Sequence, residues 1–460
     1  MRARALTLVR STLTRLGTAS AASLVATILV LPATAQSEGG GSAQEKGERW
    51  TQAELETLSK KIMKDLEEVR GEKYLRPVAV KVSSKADLIE YIKARENKTT
   101  PPEQFAADEL AAKMLGVIPP ELDLRAKMYA LLEAQVGGFY DPDTDSFSLM
   151  EWVPRGLTKI ILAHELDHAL DDQLFDIDGT IAKLGNRTDP MLAYHAVVEG
   201  SGTAIMTQWM MKYGDPADMQ SVTESQMKDY MSMADAPDWL WKPMVATYMV
   251  GAGFLGKSSN WMMAGAKPLD PAALRTSFTN PPRSTEQVLH PDKYWKEGER
   301  DEPRSVKIDT AKLGKGWSVL REETMGEIAI GILTTPPARR NITDFSNPMA
   351  VLGIQFTNDV SAGWGGDSYV LLGNGESRIL RWVTVWDGER DAGEFYGAMQ
   401  QQLPVLEAAA KTLSGKDAEG DGGATVEYGE APNQVVLTVH VKTGRSDLKR
   451  ALRDVKHEIQ

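Results

Sequence analysis

Apolar positions fall into a helical rhythm from the first patterned stretch. Thr51 with Glu54 three residues later has the form of a capping box, and Leu55, Leu58, Ile62 and Leu66 continue a stripe at intervals of three and four. This predicts a helix opening beside Trp50. Alternation over 77–82 predicts a strand, and helical spacing returns over 86–95, 103–115 and 122–136. Gly137-Gly138-Phe139-Tyr140 breaks that spacing, Asp141-Pro142-Asp143-Thr144-Asp145 supplies a turn, and Ser146-Phe147-Ser148-Leu149 alternates again, so a β-hairpin is expected. Two further helices follow over 157–174 and 190–213. The second is expected to open on Asp189 as its cap, with Pro190 at the first helical position.

Between Met206 and Met263 lie eleven of the twenty methionines, mixed with tryptophans at helical spacing. Such adaptable side chains suit core packing or an apolar groove. The apolar run 243–255 is too short to span a bilayer. Residues 281–294 read as loop, and a domain boundary is expected between 336 and 347. Beyond it, strands at 367–373, 379–386, 424–428 and 434–441 and helices at 391–413 and 446–458 describe a smaller α+β domain. Gly363-Trp364-Gly365-Gly366-Asp367 reads as a tight turn with a buried indole. The fold class is α+β, with a mainly helical region over 50–340 that carries a small sheet or hairpin, and a C-terminal α+β domain over 341–460.

The first residues change the picture of where the chain works. Arg2, Arg4, Arg10 and Arg15 precede a mostly apolar stretch over 16–31, and Ala33-Thr34-Ala35 offers a small-x-small cleavage site. Residues 1–35 therefore read as a signal peptide and 36–49 as a flexible polar linker. The mature chain is expected to be secreted or periplasmic, with no stable membrane insertion. The formal charge of -12 becomes more negative once the leader arginines are lost, which argues against nucleic acid or an anionic membrane as partner. There is no cysteine, so any bound metal must use imidazole and carboxylate.

Six histidines are available, and two of them stand in His164-Glu165-Leu166-Asp167-His168, an HExxH pattern inside a helical stretch. Four residues of helix bring His164 and His168 to one face, while Leu162, Leu166, Ala169 and Leu170 lie on the other. Two imidazoles call for a third protein ligand. Glu199 is the first choice, from Ala196-Val197-Val198-Glu199-Gly200-Ser201-Gly202, because two glycines inside a helix ask for a close approach to the metal-bearing helix. Asp171 and His195 are the alternatives. Tyr140, His195, His290 and Tyr294 are candidate donors to a developing oxyanion.

His164 to Gln173 reads HELDHALDDQ and resembles the zinc helix of the thermolysin-type gluzincins, down to an aspartate, Asp172, four residues after the second histidine. The run HALDDQLFD, with VVEGSG after it, GFYDPDTDSF before it and HPDKY at His290 to Tyr294, is similar to a group of secreted bacterial proteins identified as metallopeptidases from sequence. That group often carries an acidic residue where Ser201 and Gly202 stand here. The resemblance implies a zincin-like domain holding one Zn2+ by His164, His168 and Glu199, with Asp172 supporting the ligands. It implies Glu165 as general base for attack of a zinc-bound water on a peptide or protein substrate. The other reading is a non-catalytic cell-envelope scaffold or binding protein with a structural zinc site. The hairpin invites a peptide-pairing role, with the two glycines admitting a second backbone.

Overall fold

The computed structural model describes residues 50–460 apart from 100, 186, 216–232, 259–266, 348, 349, 352 and 416–421. The expected signal peptide and linker, and part of the methionine-rich stretch, lie outside the described residues. The architecture is mixed α/β, with helices around several small sheets.

Helix α1 (Gln52–Arg70) opens on the expected capping box: Thr51 Oγ1 accepts from Glu54 N at 3.3 Å, and Glu54 Oε2 accepts from Thr51 N at 2.9 Å. Its buried stripe is Leu55, Ser59, Ile62 and Leu66, and the same period carries Arg70 inward as well. Strand β1 (Ala79–Ser83) is followed by α2 (Lys85–Thr99), α3 (Pro102–Met114) and α4 (Leu124–Gln135). The hairpin β2 (Gly138–Asp141) and β3 (Ser146–Met150) forms as its pattern predicts. β3 also takes β1 as a parallel neighbour, giving the order β1-β3-β2. The Gly137-Gly138 pair makes room for side chains and, at Gly138, for the backbone of β3, whose Ser148 O would lie 3.0 Å from an added methyl. A methyl on Gly137 would meet Ile161 Cδ1 at 2.7 Å, and one on Gly138 would meet the Phe147 ring at 2.6 Å.

Helices α5 (Arg155–Phe175), α6 (Ile177–Leu184), α7 (Thr188–Tyr213) and α8 (Asp238–Leu255) follow. α7 starts earlier than expected, and Asp189 is not its cap. Thr188 N is satisfied from a distance by Glu323 Oε1 at 2.6 Å, which frees Asp189 Oδ1 to accept from Thr285 N at 3.0 Å. The segment read as loop contains the short helices α10 (Thr285–Leu289) and α11 (Asp292–Trp295), after α9 (Pro271–Thr279).

The C-terminal part holds β4 (Val306–Asp309), β5 (Ser318–Glu323), α12 (Gly326–Thr334), β6 (Trp364–Asn374), β7 (Ser377–Trp386), α13 (Glu389–Ser414), β8 (Gly423–Tyr428), β9 (Gln434–Val441), α14 (Arg445–Leu452) and β10 (Lys456–Ile459). Five strands form an antiparallel sheet in the order β5-β6-β7-β9-β8. Phe395, Met399 and Leu406 of α13 pack on Trp382, Trp386 and Leu437 of one sheet face. The boundary expected at 340/341 therefore cuts through this unit, because β5 precedes it and is half charged, which hid it. The helix expected over 446–458 ends at Leu452, and 456–459 instead pairs antiparallel with β4.

Asp367 pins the unit together. Its carboxylate accepts from Met325 N and Gly326 N, the start of α12, and from the indoles of Trp364 and Trp382, all within 3.0 Å. Trp364 is buried as expected, but Trp364 to Asp367 open strand β6, with a register shift at Gly366, rather than forming a tight turn. α3 packs into this same core through Ala107, Ala111 and Met114, so the two halves share an interior. No helix of the described residues is long and apolar enough to cross a membrane.

Candidate metal centre

α5 is buried on nearly every side, including His164, Glu165, Asp167, His168 and Asp171. It lies between the α1 cluster, which takes Leu162, Leu166 and Ala169, and α7, which crosses its histidine face. The glycines of α7 serve two different neighbours. A methyl on Gly202 would stand 2.7 Å from His164 Cε1 and 2.8 Å from His168 Cε1, so only hydrogen fits between that backbone and the imidazoles. Gly200 instead meets α8: a methyl there would overlap the backbone of Gly251, and one on Gly251 would overlap Ala196 O.

With α7 this close, Glu199 reaches the histidine pair. His164 Nε2 and His168 Nε2 are 2.9 Å apart, and Glu199 Oε2 lies 3.3 Å from the first and 3.4 Å from the second. Three donor atoms converge within 4.8 Å, each from a buried residue. Donors sharing a tetrahedral zinc at about 2.0–2.1 Å sit about 3.3 Å from one another, so the two carboxylate edges match and the imidazole edge is a few tenths short. The chemistry of the set, two imidazoles and one carboxylate, also fits zinc.

The charges around the site favour a cation. Burial alone would raise the Glu199 carboxyl, but the two imidazoles outweigh it and hold it down to about 2. Burial opposes charge on His168, yet Glu199, with Glu165 and Asp167 near, carries it up to about 9. Burial and the neighbouring His168 push His164 down.

Asp171, the alternative ligand, is turned to other work. Arg70 donates to Asp171 Oδ1 and to Asp167 Oδ1, both at 2.7 Å, and Ser201 Oγ donates to Asp167 Oδ2 at 3.0 Å. Burial raises the Asp167 carboxyl to about 7 even with Arg70 beside it, since Asp171 adds a second negative charge. Asp172 does not support the imidazoles as the resemblance implies. Its oxygens accept from Ile177 N at 3.1 Å and Tyr140 Oη at 3.3 Å, which ties the end of α5 to the hairpin.

The candidate oxyanion donors divide in the same way. Tyr140 Oη donates to Asp145 Oδ1 at 2.8 Å, His290 Nε2 lies 2.9 Å from Glu327 Oε1, and Tyr294 Oη donates to Asn280 O at 2.5 Å. His195, the other alternative ligand, is not among the converging donors; it lines a cavity of about 260 Å³ that also reaches Glu199. Tyr248 on α8 lines it too, and the sequence reading missed this residue. Its ring stacks on His164 with centroids 5.9 Å apart, and its hydroxyl hydrogen-bonds to Glu199. Burial and the negative charges of Glu199 and Glu165 keep that hydroxyl protonated. No spacing within 238–255 ties Tyr248 to the histidines, so no sequence signal could have found it. Arg70 did leave a signal, as the next position in the α1 stripe.

A second acidic group, Glu286, Asp301 and Asp387, also has converging oxygens. Lys293 Nζ already stands among them, at 2.6, 2.9 and 2.9 Å.

A family model described as a domain of unknown function, DUF8575, matches residues 318–446. That range starts at β5 and ends within α14, so it follows the five-stranded sheet rather than the metal centre. No curated protein matches the chain, and no solved structure does.

Proposed function

We propose that this chain is an exported zinc-dependent metallopeptidase with a zincin-like arrangement of α5 and α7, acting on peptide or protein substrates. The observation that carries the proposal is the convergence of His164, His168 and Glu199 beside Glu165, with Glu199 also lining a cavity. A structural zinc site is normally closed by four protein ligands; three converge among the described residues, which leaves room for a reactant.

Zinc held there supplies Lewis acidity, polarising a carbonyl and lowering the pKa of a water. Glu165 follows His164 on the same helix, is fully buried, and lies close enough to act electrostatically on His168 and Tyr248. Its carboxylate takes a proton from the water whose oxygen joins the peptide carbonyl carbon. The C–N bond then breaks as Glu165 returns that proton to the departing amine. Tyr248 holds Glu199 in place through its hydroxyl, and His195 stands at the cavity wall as a hydrogen-bonding group for the substrate carbonyl.

Metal analysis combined with Glu165→Gln tests this reading. One zinc per chain is expected in both proteins, with hydrolysis of a mixed peptide library reduced roughly 100- to 10,000-fold in the variant. Equal hydrolysis by both, or a metal-free wild type after purification in zinc, sinks the proposal.

A further inference from the structure

Beside the candidate metal centre lies a buried ionic network that the proposed reaction does not use. On α5, Asp167 and Asp171 stand one turn apart, as His164 and His168 do, and the aspartate stripe runs about 60° around the helix from the histidine stripe. Arg70, the last residue of α1, lies between the two carboxylates, 2.7 Å from an oxygen of each, and its guanidinium also donates to Ser201 Oγ of α7 at 3.1 Å. Ser201 in turn donates to the other oxygen of Asp167 at 3.0 Å. The side chains of Arg70, Asp167 and Asp171 are at most 2% exposed, and Ser201 is fully buried. One guanidinium of α1 thus holds both helices that carry the converging donors.

The place of Ser201 on α7 says what this contact controls. It lies about 160° around the helix from Glu199, and Gly202, which meets the imidazoles, falls on the arc between them. α7 is therefore pinned on one flank of its contact with α5, while Glu199 reaches the histidines from the other. A roll of α7 by about 20° would move a carboxylate about 5 Å from the helix axis by roughly 2 Å, the full length of a zinc–oxygen bond. Stability alone does not account for the network. Desolvating one cation and two carboxylates cancels much of what their attraction returns, and well-packed apolar side chains often do as well or better. Direction is what apolar side chains would not supply.

We propose that Arg70, Asp167 and Ser201 form a clamp by which α1 sets the roll of α7 against α5, making them positioning residues for Glu199 at the metal centre. The inference rests on the zinc-site reading of His164, His168 and Glu199. None of the three clamp residues is among the converging donors.

The test uses the full chain and three readouts: zinc affinity by competition with a chelator, the thermal midpoint of the zinc-free protein, and the visible spectrum of Co2+ bound in place of zinc. Four-coordinate Co2+ absorbs strongly and higher coordination weakly, so the spectrum reports whether the carboxylate still reaches the ion. Ser201→Ala frees α7 to roll and should lower zinc affinity about 10- to 100-fold and weaken the cobalt bands. Arg70→Met combined with Asp167→Leu and Asp171→Leu replaces the whole triad. Its zinc-free midpoint is expected to equal or exceed that of wild type, while zinc affinity still falls at least tenfold. If the triple variant does not fold, Ser201→Ala decides alone. Unchanged zinc affinity and an unchanged cobalt spectrum in Ser201→Ala overturn the clamp and leave the metal centre and the peptidase reading standing. A zinc-free midpoint that drops in step with affinity, with the cobalt bands intact, assigns the network to stability and also overturns it. Wild type that binds zinc, loses it in the variants as expected and yet hydrolyses no peptide upholds the clamp and removes the peptidase.

Discussion

Gly202 sets how near α7 can come to the two imidazoles, and so whether Glu199 arrives at all. Gly202→Ala would place a methyl under 3 Å from both Cε1 atoms, and the rings have no free direction in a buried helix pair. Zinc affinity, measured by competition with a chelator, should fall by tenfold or more; an unchanged affinity would mean that the rings do not hold the ion. Tyr248→Phe removes the hydroxyl on Glu199 while keeping the ring against His164, and outer partners of metal ligands are typically worth about 10- to 100-fold in affinity or activity. At this scale the sequence was informative where chemistry is local. His164, Glu165 and His168 are neighbours on one helix, and Glu199 was marked by the glycines beside it. Tyr248 comes from a third helix, with no short-range pattern to connect it.

Helix packing explains the rest of that glycine pair. Of the two glycines expected to face α5, Gly202 does, against His164 and His168, while Gly200 belongs to the crossing of α7 with α8 at Gly251. A stripe on one helix reveals that something packs closely there, and not which helix does so. α1 carries a comparable lesson, since Arg70 occupies a buried stripe position and meets Asp167 and Asp171 across α5. Replacing Arg70 by Met leaves two buried carboxylates without their cation. Chemical denaturation should register a loss of about 3–5 kcal/mol. A loss below about 1 kcal/mol would show that the carboxylates take up protons at little cost.

Across the whole molecule, residues 50–83 are built into the half that carries the candidate site. Trp50 Nε1 donates to Thr158 at 2.9 Å, Tyr74 Oη to Leu166 O at 2.8 Å, and β1 is a strand of the hairpin sheet. Such contacts build this segment into the packing around α5. The α/β character and most elements were legible from periodicity. The shared core of α3 with the C-terminal sheet was not, because it depends on contacts between segments some two hundred residues apart. A pH dependence belongs to this scale too. Burial, with Asp367 and Glu327 adding negative charge, raises the Asp189 carboxyl to about 7, against about 3.9 for an unfolded aspartate. The folded protein therefore holds a proton that the unfolded chain releases between those values, and this contribution is lost as pH rises from about 4 through 7. Asp189→Asn should flatten the fall in thermal stability between pH 5 and 8, and an unaltered profile would assign the dependence to other groups.

The central claim is that two helices cage one hydrolytic metal, and anomalous diffraction at the zinc edge from crystals of the full chain tests it most directly. The account predicts a single strong peak within bonding distance, about 2.0–2.2 Å, of His164 Nε2, His168 Nε2 and a Glu199 oxygen. A peak elsewhere, or none in zinc-containing crystals, would contradict it.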